Sequence, residues 1–399
     1  MLEVTVIGGG LVGANAAYRL LDRGARVTVV DRCDLGQATA AGAGILPPFD
    51  HFASGRALLP LIRAARQYYP ELVAALRADG ETDVGYHQAG ALHVATNDRE
   101  LGELPVLARQ WQDAREAGFA HVGDVTLLDG VGARRLMPAL GPAVVGAVHS
   151  EGAGRVDGRR LLAALRSGVL KRGGRWLHTG AELAVERDRV HAILSNGEVL
   201  AADVVVLAAG SWSQALGQQL GLHLPVVPQR GQLIHLELDN ENTGAWPTIL
   251  GFGTHYILGF PGGRVVVGAT REDLGRHDWR VTAGGVHAVL DATLTLAPGL
   301  ANATLLETRV GFRPVSADGL PILGPAAQRP AVFIATGHAG YGLEVGPYSG
   351  ALVADLVLNQ PVAVDLTPFR ADRFGAGLAK AGASGPPPTD IAQGAPSRT

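Results

Sequence analysis

Three glycines near the start of the chain have the spacing needed to hold a phosphate-bearing cofactor. Gly8, Gly10 and Gly13 stand in V-I-G-G-G-L-V-G at the G-x-G-x-x-G interval. Val4 to Ile7 is a short apolar run suited to a buried parallel strand, and Ala14 to Leu21 reads as the helix after it. Between such elements Gly8 permits a tight turn and Gly10 lets the backbone approach a pyrophosphate. Gly13 lets helix and strand pack closely. The phosphate would sit on N–H groups at the positive helix end, beside Leu11 and Val12. Arg26 to Val30 reads as a second strand that closes on Asp31 and Arg32. Asp31 comes eighteen residues after Gly13, close to the ~20 at which a carboxylate accepts bonds from a ribose hydroxyl. A glycine-rich turn in an ordinary α/β unit would leave that acid unexplained.

Two further stretches suit a large ligand. In Gly36 to Pro48 nearly every side chain is small, including Thr39, Ala40, Ala41, Gly42 and Gly44 before Ile45 and Leu46. Such a backbone can lie against a flat ring system, although a flexible loop has the same composition. Gly337-His338-Ala339-Gly340-Tyr341-Gly342 lies between a strand at Ala331 to Thr336 and a helix from about Leu343 to Leu358. That second strand-to-helix turn aims a second helix N-terminus at a ligand, one more than a plain nicotinamide enzyme needs.

The elements that must position these turns alternate along the chain. Helical spacing marks Arg56 to Arg77, Glu100 to Ala117 and Gly158 to Lys171, and Gly90 to Ala95 is strand-like. Strands are expected at Glu182 to Val185, Val190 to Ser195 and the apolar run Asp203 to Gly210. Pro228 to Leu238, His255 to Phe260, Arg264 to Ala269 and Leu305 to Arg313 read as a second, antiparallel sheet. The fold class expected is α/β, a Rossmann-type domain with an antiparallel-sheet α+β substrate domain. The nucleotide domain takes 1–50, 141–215 and 315–374, and the substrate domain 51–140 and 216–314. Residues 375–399, rich in Gly, Ala, Pro and Ser, are expected to form a disordered tail.

Composition narrows the partners. The chain has 399 residues, 47% hydrophobic and 18% charged, with a net charge of −3, so no nucleic acid partner is expected. No run of ~18 apolar residues suggests an integral membrane segment. The first strand begins too early for a cleavable signal peptide before it, and the single cysteine, Cys33, fits a reducing cytoplasmic location. Self-association into a homo-oligomer is left open. No histidine pair has metal-ligand spacing and no G-x-S-x-G elbow is present, so no metal is expected. His51 and His255 are the histidines placed to touch a pocket, while His338 more simply packs in its turn.

Taken together, these motifs resemble the D-amino-acid oxidase family of FAD oxidoreductases, glycine oxidase above all, from Val4 to about Phe374. The marks are V-I-G-G-G-L-V-G, the A-A-G-x-I-L segment, V-V-V-L-A-A-G-S-W, G-R-V-V-V-G-A-T, G-F-R-P-V-S-A-D-G-L-P-I-L-G-P and the T-G-H-x-x-x-G turn. The resemblance implies non-covalent FAD, with its ADP half on Gly8 to Gly13 and its adenine beside the Leu183 backbone. Ala209, Gly210 and Trp212 would pass its pyrophosphate and ribityl chain. Ala41 to Leu46 and Gly340, Tyr341, Gly342 and Leu343 would line the ring. It also implies that Arg313 and Tyr256 bind a substrate carboxylate, work that suits a planar, permanently charged guanidinium. Arg271 follows G-A-T and either faces the pocket or pairs with Glu272 or Asp273 in solvent, the second being favoured. The expected activity is oxidative deamination of a small amino acid: glycine, a D-amino acid or an N-alkyl glycine. Oxygen would accept the electrons. A D-amino-acid dehydrogenase passing electrons to a quinone or carrier is the alternative, ahead of a nicotinamide enzyme or a non-catalytic flavin binder. The purified protein should be yellow and release free FAD on acid denaturation; a colourless chain that cannot be reconstituted, or flavin that stays with the denatured chain, would contradict this reading.

Overall fold

The computed structural model describes residues 1–48, 57–186, 189–239 and 241–375. His51 and the tail beyond Gly375 lie outside the described residues, so the expectations for both stay untested.

Strand Glu3–Ile7 forms the middle of a six-stranded sheet because its run of apolar side chains is buried on both faces. The order across this sheet is Ile322–Ala326, Arg329–Thr336, Val204–Leu207, Glu3–Ile7, Arg26–Asp31 and Arg175–His178. Every joint is parallel except the first, a hairpin. Helix Leu11–Asp22 packs on this sheet and against helix Gly342–Val357, and both join one apolar core. Their contact is backbone on backbone: a Cβ on Gly350 would come within 2.2 Å of the Val12 carbonyl oxygen. Helix Gly158–Lys171 closes against the first helix at Gly168, which faces the Tyr18 ring.

The second layer is an eight-stranded sheet ordered Thr304–Ser316, Val226–Glu237, Arg264–Gly268, Tyr256–Gly259, Thr248–Gly251, Ala91–Ala95, Gly146–Ser150 and Val125–Asp129. It is antiparallel except where Thr248–Gly251 runs parallel to Ala91–Ala95, a long-range pairing that local pattern does not signal. The smallest sheet joins Ile45–Leu46 and Tyr86–His87 to the two edges of Gly154–Val156.

Two segments pack differently from the division read off the sequence. Helix Leu59–Ala78, assigned there to the substrate domain, buries Leu61, Ile62, Tyr69, Leu72 and Leu76 in the core of the nucleotide-binding layer. Strand Gly146–Ser150, assigned to the nucleotide domain, pairs inside the eight-stranded sheet. An apolar helix stripe states that it needs a partner face, not which one.

The tightest point is where the first helix meets the first strand. A Cβ on Gly13 would lie 2.0 Å from the Gly8 carbonyl oxygen, whereas one on Gly102, inside helix Asp98–Glu116, would meet nothing. Gly13→Ala should therefore cost about 1–3 kcal/mol of stability by overpacking. Gly102→Ala should be neutral or stabilising by up to about 1 kcal/mol. Thermal melts of both variants check this, and equal melting temperatures would contradict it.

Candidate functional site

One long cleft runs between the two layers and gathers most of the residues singled out from sequence. Gly8, Gly10, Leu11 and Val12 line it, with Ala209, Gly210 and Trp212 across from them. Asp31 and Arg32 stand along it with Thr179 to Glu182, while Thr39, Ala41, Gly42, Gly44 and Ile45 face Gly340 to Leu343. Tyr256, Arg271 and Arg313 line the same cleft beside Leu233, Leu250 and His255.

The glycine turn is a cradle with a built-in brace. Gly8 has φ near 103°, a conformation that glycine takes at little cost. Gly10 precedes helix Leu11–Asp22 without a capping side chain, and no acid occupies the first turn. The Leu11 N–H goes to Thr39 Oγ1 at 3.1 Å, and Val12, next along the turn, faces the cleft. A helix N-terminus left uncapped at a cleft is suited to an anion. Asp31, buried at the end of its strand, accepts the Gly9 N–H at 2.8 Å through Oδ2. Its Oδ1 accepts the Cys33 N–H at 2.7 Å and Gln37 Nε2 at 2.8 Å. The carboxylate thus holds the glycine turn in shape and still lines the cleft, a bracing role the spacing argument did not contain.

The small-residue segment is pressed against protein as well as open to the cleft. A Cβ on Gly36 would strike the Phe312 ring at 2.4 Å, one on Gly42 would meet Leu343 at 2.5 Å, and one on Gly44 the Val156 carbonyl oxygen at 1.7 Å. Ala40 and Leu46 belong to this packing and do not line the cleft, as Gly13 does not. Leu183 also lies off it: the side chain joins an apolar core and the N–H is given to Gln219 Oε1 at 2.8 Å. The wall there is formed by Gly180, Ala181 and Glu182, at the start of that strand.

At the other end Arg313 sits opposite Gln229 in the eight-stranded sheet. Its Nη1 donates to the Thr270 carbonyl at 3.2 Å. The guanidinium lies over Gly231, where a Cβ would be 2.7 Å from Nη1. Burial pushes the Arg313 pKa down, with Tyr256 acting against this and Arg271 adding to it. Burial raises the Tyr256 hydroxyl, and Arg313 and Arg271 both oppose that rise. The three groups are thus in mutual electrostatic reach. Arg271 turns to the cleft instead of standing away from it. Of the acids next to it in the chain, Glu272 accepts from Arg230, Gln232 and Thr270, and Asp273 accepts from Gln229.

The two described histidines at the cleft are neutral at pH 7. Burial pushes both His255, which contacts Thr293 Oγ1 at 3.1 Å, and His338 down to about 4. Sequence reasoning missed Phe312, Gln219 and Glu344, which line the cleft from separate elements. It also missed His277, which stacks on Trp212 with centroids 4.6 Å apart. Among the described residues no group of three His, Cys, Asp or Glu side chains converges to hold a metal ion. No described helix is long and apolar enough to cross a membrane.

A parallel sheet with a braced glycine turn, facing a second sheet across one cleft, defines a dinucleotide-dependent oxidoreductase. The profile of the family described as DAO, FAD dependent oxidoreductase, matches residues 3–356, and the chain belongs to that family. Its cofactor is therefore FAD, which the uncapped turn and the close glycines fit. The uncharacterized oxidoreductase YurR of Bacillus subtilis (strain 168) is 39% identical, over 92% of this chain and 98% of its own. Glycine oxidase of Geobacillus kaustophilus (strain HTA426) is 31% identical over 93% and 97%. The crystal structure of iminodiacetate oxidase (IdaA) from Chelativorans sp. BNC1 superposes with a TM-score of 0.88 at 39% identity, covering 92% of this chain and 98% of that one.

Asp31→Ala removes three accepted hydrogen bonds and the candidate ribose partner. FAD affinity should fall by about 1–3 kcal/mol, the scale of losing bonds to a charged group. Titration of the apoprotein with FAD measures it, and an unchanged dissociation constant would show that neither the brace nor the ribose contact matters.

Proposed function

We propose that the chain oxidises small secondary amino acids of the N-carboxymethyl type, such as iminodiacetate, with oxygen as electron acceptor. One observation carries this reading: Arg271 lines the same end of the cleft as Arg313 and Tyr256, so two guanidiniums border the region a dicarboxylate would occupy. The 39% identity to an iminodiacetate oxidase supports it.

Arg313 and Tyr256 would hold the carboxylate of the carbon to be oxidised, and Arg271, at the more exposed position, the carboxylate on the nitrogen substituent. A guanidinium fork fixes orientation as well as charge. When bound, FAD supplies the acceptor for the hydrogen and electron pair leaving the α-carbon. The apolar wall of Leu233, Leu250 and Ile45 restricts water around that carbon. His255 and His338, neutral because they are buried, add no positive charge that would repel an incoming amine. With the amine arriving neutral, its own lone pair drives the oxidation and the protein's contribution is placement. The imine then takes up water and splits. In sum, iminodiacetate, oxygen and water give glycine, glyoxylate and hydrogen peroxide.

Arg313→Leu keeps the stem and deletes the fork, so FAD content should survive. Losing two charge-assisted bonds of roughly 1.5–3 kcal/mol each should lower kcat/KM about a hundred- to ten-thousand-fold on every amino acid used. Anaerobic flavin bleaching against substrate concentration reads this, and wild-type rate and affinity would place carboxylate recognition elsewhere. Arg271→Leu should cost iminodiacetate about ten- to a hundredfold while leaving sarcosine nearly unchanged. Peroxide release measured with both substrates checks it, and an equal loss on the two would remove the dicarboxylate assignment.

A further inference from the structure

A second cavity, of about 440 Å³, opens on the far side of the strand Gly154–Val156 from the cleft residue Ile45. Four guanidiniums line it, those of Arg77, Arg155, Arg160 and Arg264, against two carboxylates, Asp83 and Asp157. Both carboxylates are already paired. Asp157 holds Arg264 at 2.5 Å, and Asp83 holds Arg160 at 2.7 Å. Arg155 is different. It is among the largest fully buried side chains, at 1% exposure. Among the described residues its hydrogen bonds go to main-chain oxygens: Nη1 donates to Trp246 at 3.2 Å and Nη2 to Gly244 at 2.6 Å. Among the described residues no carboxylate lies within ion-pair distance of it. Arg155 and Arg264 also share one aromatic ring, Phe260, at 5.3 and 4.4 Å from its centroid. Burial, then repulsion by Arg264, pushes Arg155 down to about 10, which still leaves it charged at neutral pH.

A buried charge met by carbonyl dipoles and one aromatic face, beside a like charge, is an unfavourable arrangement that a counter-ion relieves. We infer that this cavity is a second binding site, for a small oxyanion of the carboxylate or phosphate type held by Arg264 with Arg160 at its rim, over the buried charge of Arg155. Arg155 spends Nη1 and Nη2 on carbonyls and acts on the anion through its charge, while the guanidinium of Arg264 can meet an oxyanion directly.

The place of this site in the fold gives it consequences. Arg155 pairs in register with Ile45, and the Val156 N–H donates to the Gly44 carbonyl at 2.8 Å. Both Gly44 and Ile45 line the cofactor cleft. On its other side Arg155 grips Gly244 and Trp246, just before strand Thr248–Gly251, whose Leu250 lines the cleft too. An anion bound there would fasten the two layers behind the cleft without entering it.

The test uses the FAD-loaded protein, with inorganic phosphate and malonate titrated separately by calorimetry at constant ionic strength. One phosphate per chain should bind, and one malonate per chain when Arg313→Leu removes the carboxylate site of the cleft; each should saturate below about 10 mM and raise the melting temperature. Arg313→Leu should leave that binding intact, since it alters only the cleft. Arg155→Gln should weaken it by at least about tenfold. In case Arg155→Gln does not fold, Arg160→Glu reverses a half-exposed rim charge and should weaken binding to a similar degree. Phosphate binding alone, or malonate binding alone, identifies which oxyanion the site takes. No binding of either anion up to about 10 mM overturns the inference. So does binding that Arg313→Leu abolishes, or that persists unchanged in Arg155→Gln or Arg160→Glu.

Discussion

The structure depends on how closely the head of the first helix approaches the first strand. Gly13 stands against the Gly8 carbonyl, and Gly350 of the last helix against the Val12 carbonyl, with no room for a methyl group at either point. These contacts turn an uncapped helix N-terminus toward the cleft and keep it there. Asp31 completes the arrangement by accepting from Gly9 across the turn. A phosphate site made of backbone donors has no side chains to adjust, so its precision must come from packing behind it. That packing includes the last helix, some three hundred residues away in the chain.

The same device recurs where the layers meet. Gly36 admits the Phe312 ring, Gly311 admits Ala41, and Gly231 gives the Arg313 guanidinium a flat seat. Arg313 can be buried because Gly231, two residues along from its sheet partner Gln229, leaves room for the guanidinium and the Thr270 carbonyl takes a donor. Burial has an electrostatic cost, seen in the lowered Arg313, and a carboxylate arriving beside that guanidinium would offset it. Both the candidate substrate end and the second cavity therefore use buried guanidiniums whose charge is incompletely answered by the protein.

Much of this was legible in the sequence wherever a signal was local. The glycine spacing, the acid closing the second strand, the second glycine-rich turn and the helix Gly158–Lys171 all depend on residues near one another in the chain. Misplaced elements were those whose partners are distant. Helix Leu59–Ala78 shows an apolar stripe that would suit either layer, and it packs with the nucleotide-binding one. The Leu183 backbone was expected beside the adenine; its side chain is buried and its N–H is given to Gln219, a residue remote in the chain.

The sequence by itself determined the class of cofactor and the two glycine-rich strand-to-helix turns that line the cleft, because those follow from backbone conformations that only certain residues permit. Tertiary structure alone decided that Arg271 faces the same cleft as Arg313, and that Asp31 braces the turn it was expected only to follow. It also decided that Arg155 is buried against carbonyl oxygens with no acid beside it. Each of these turns on which side chains from remote strands converge. Convergence is set by sheet order and register, which one residue's neighbours in the chain do not specify.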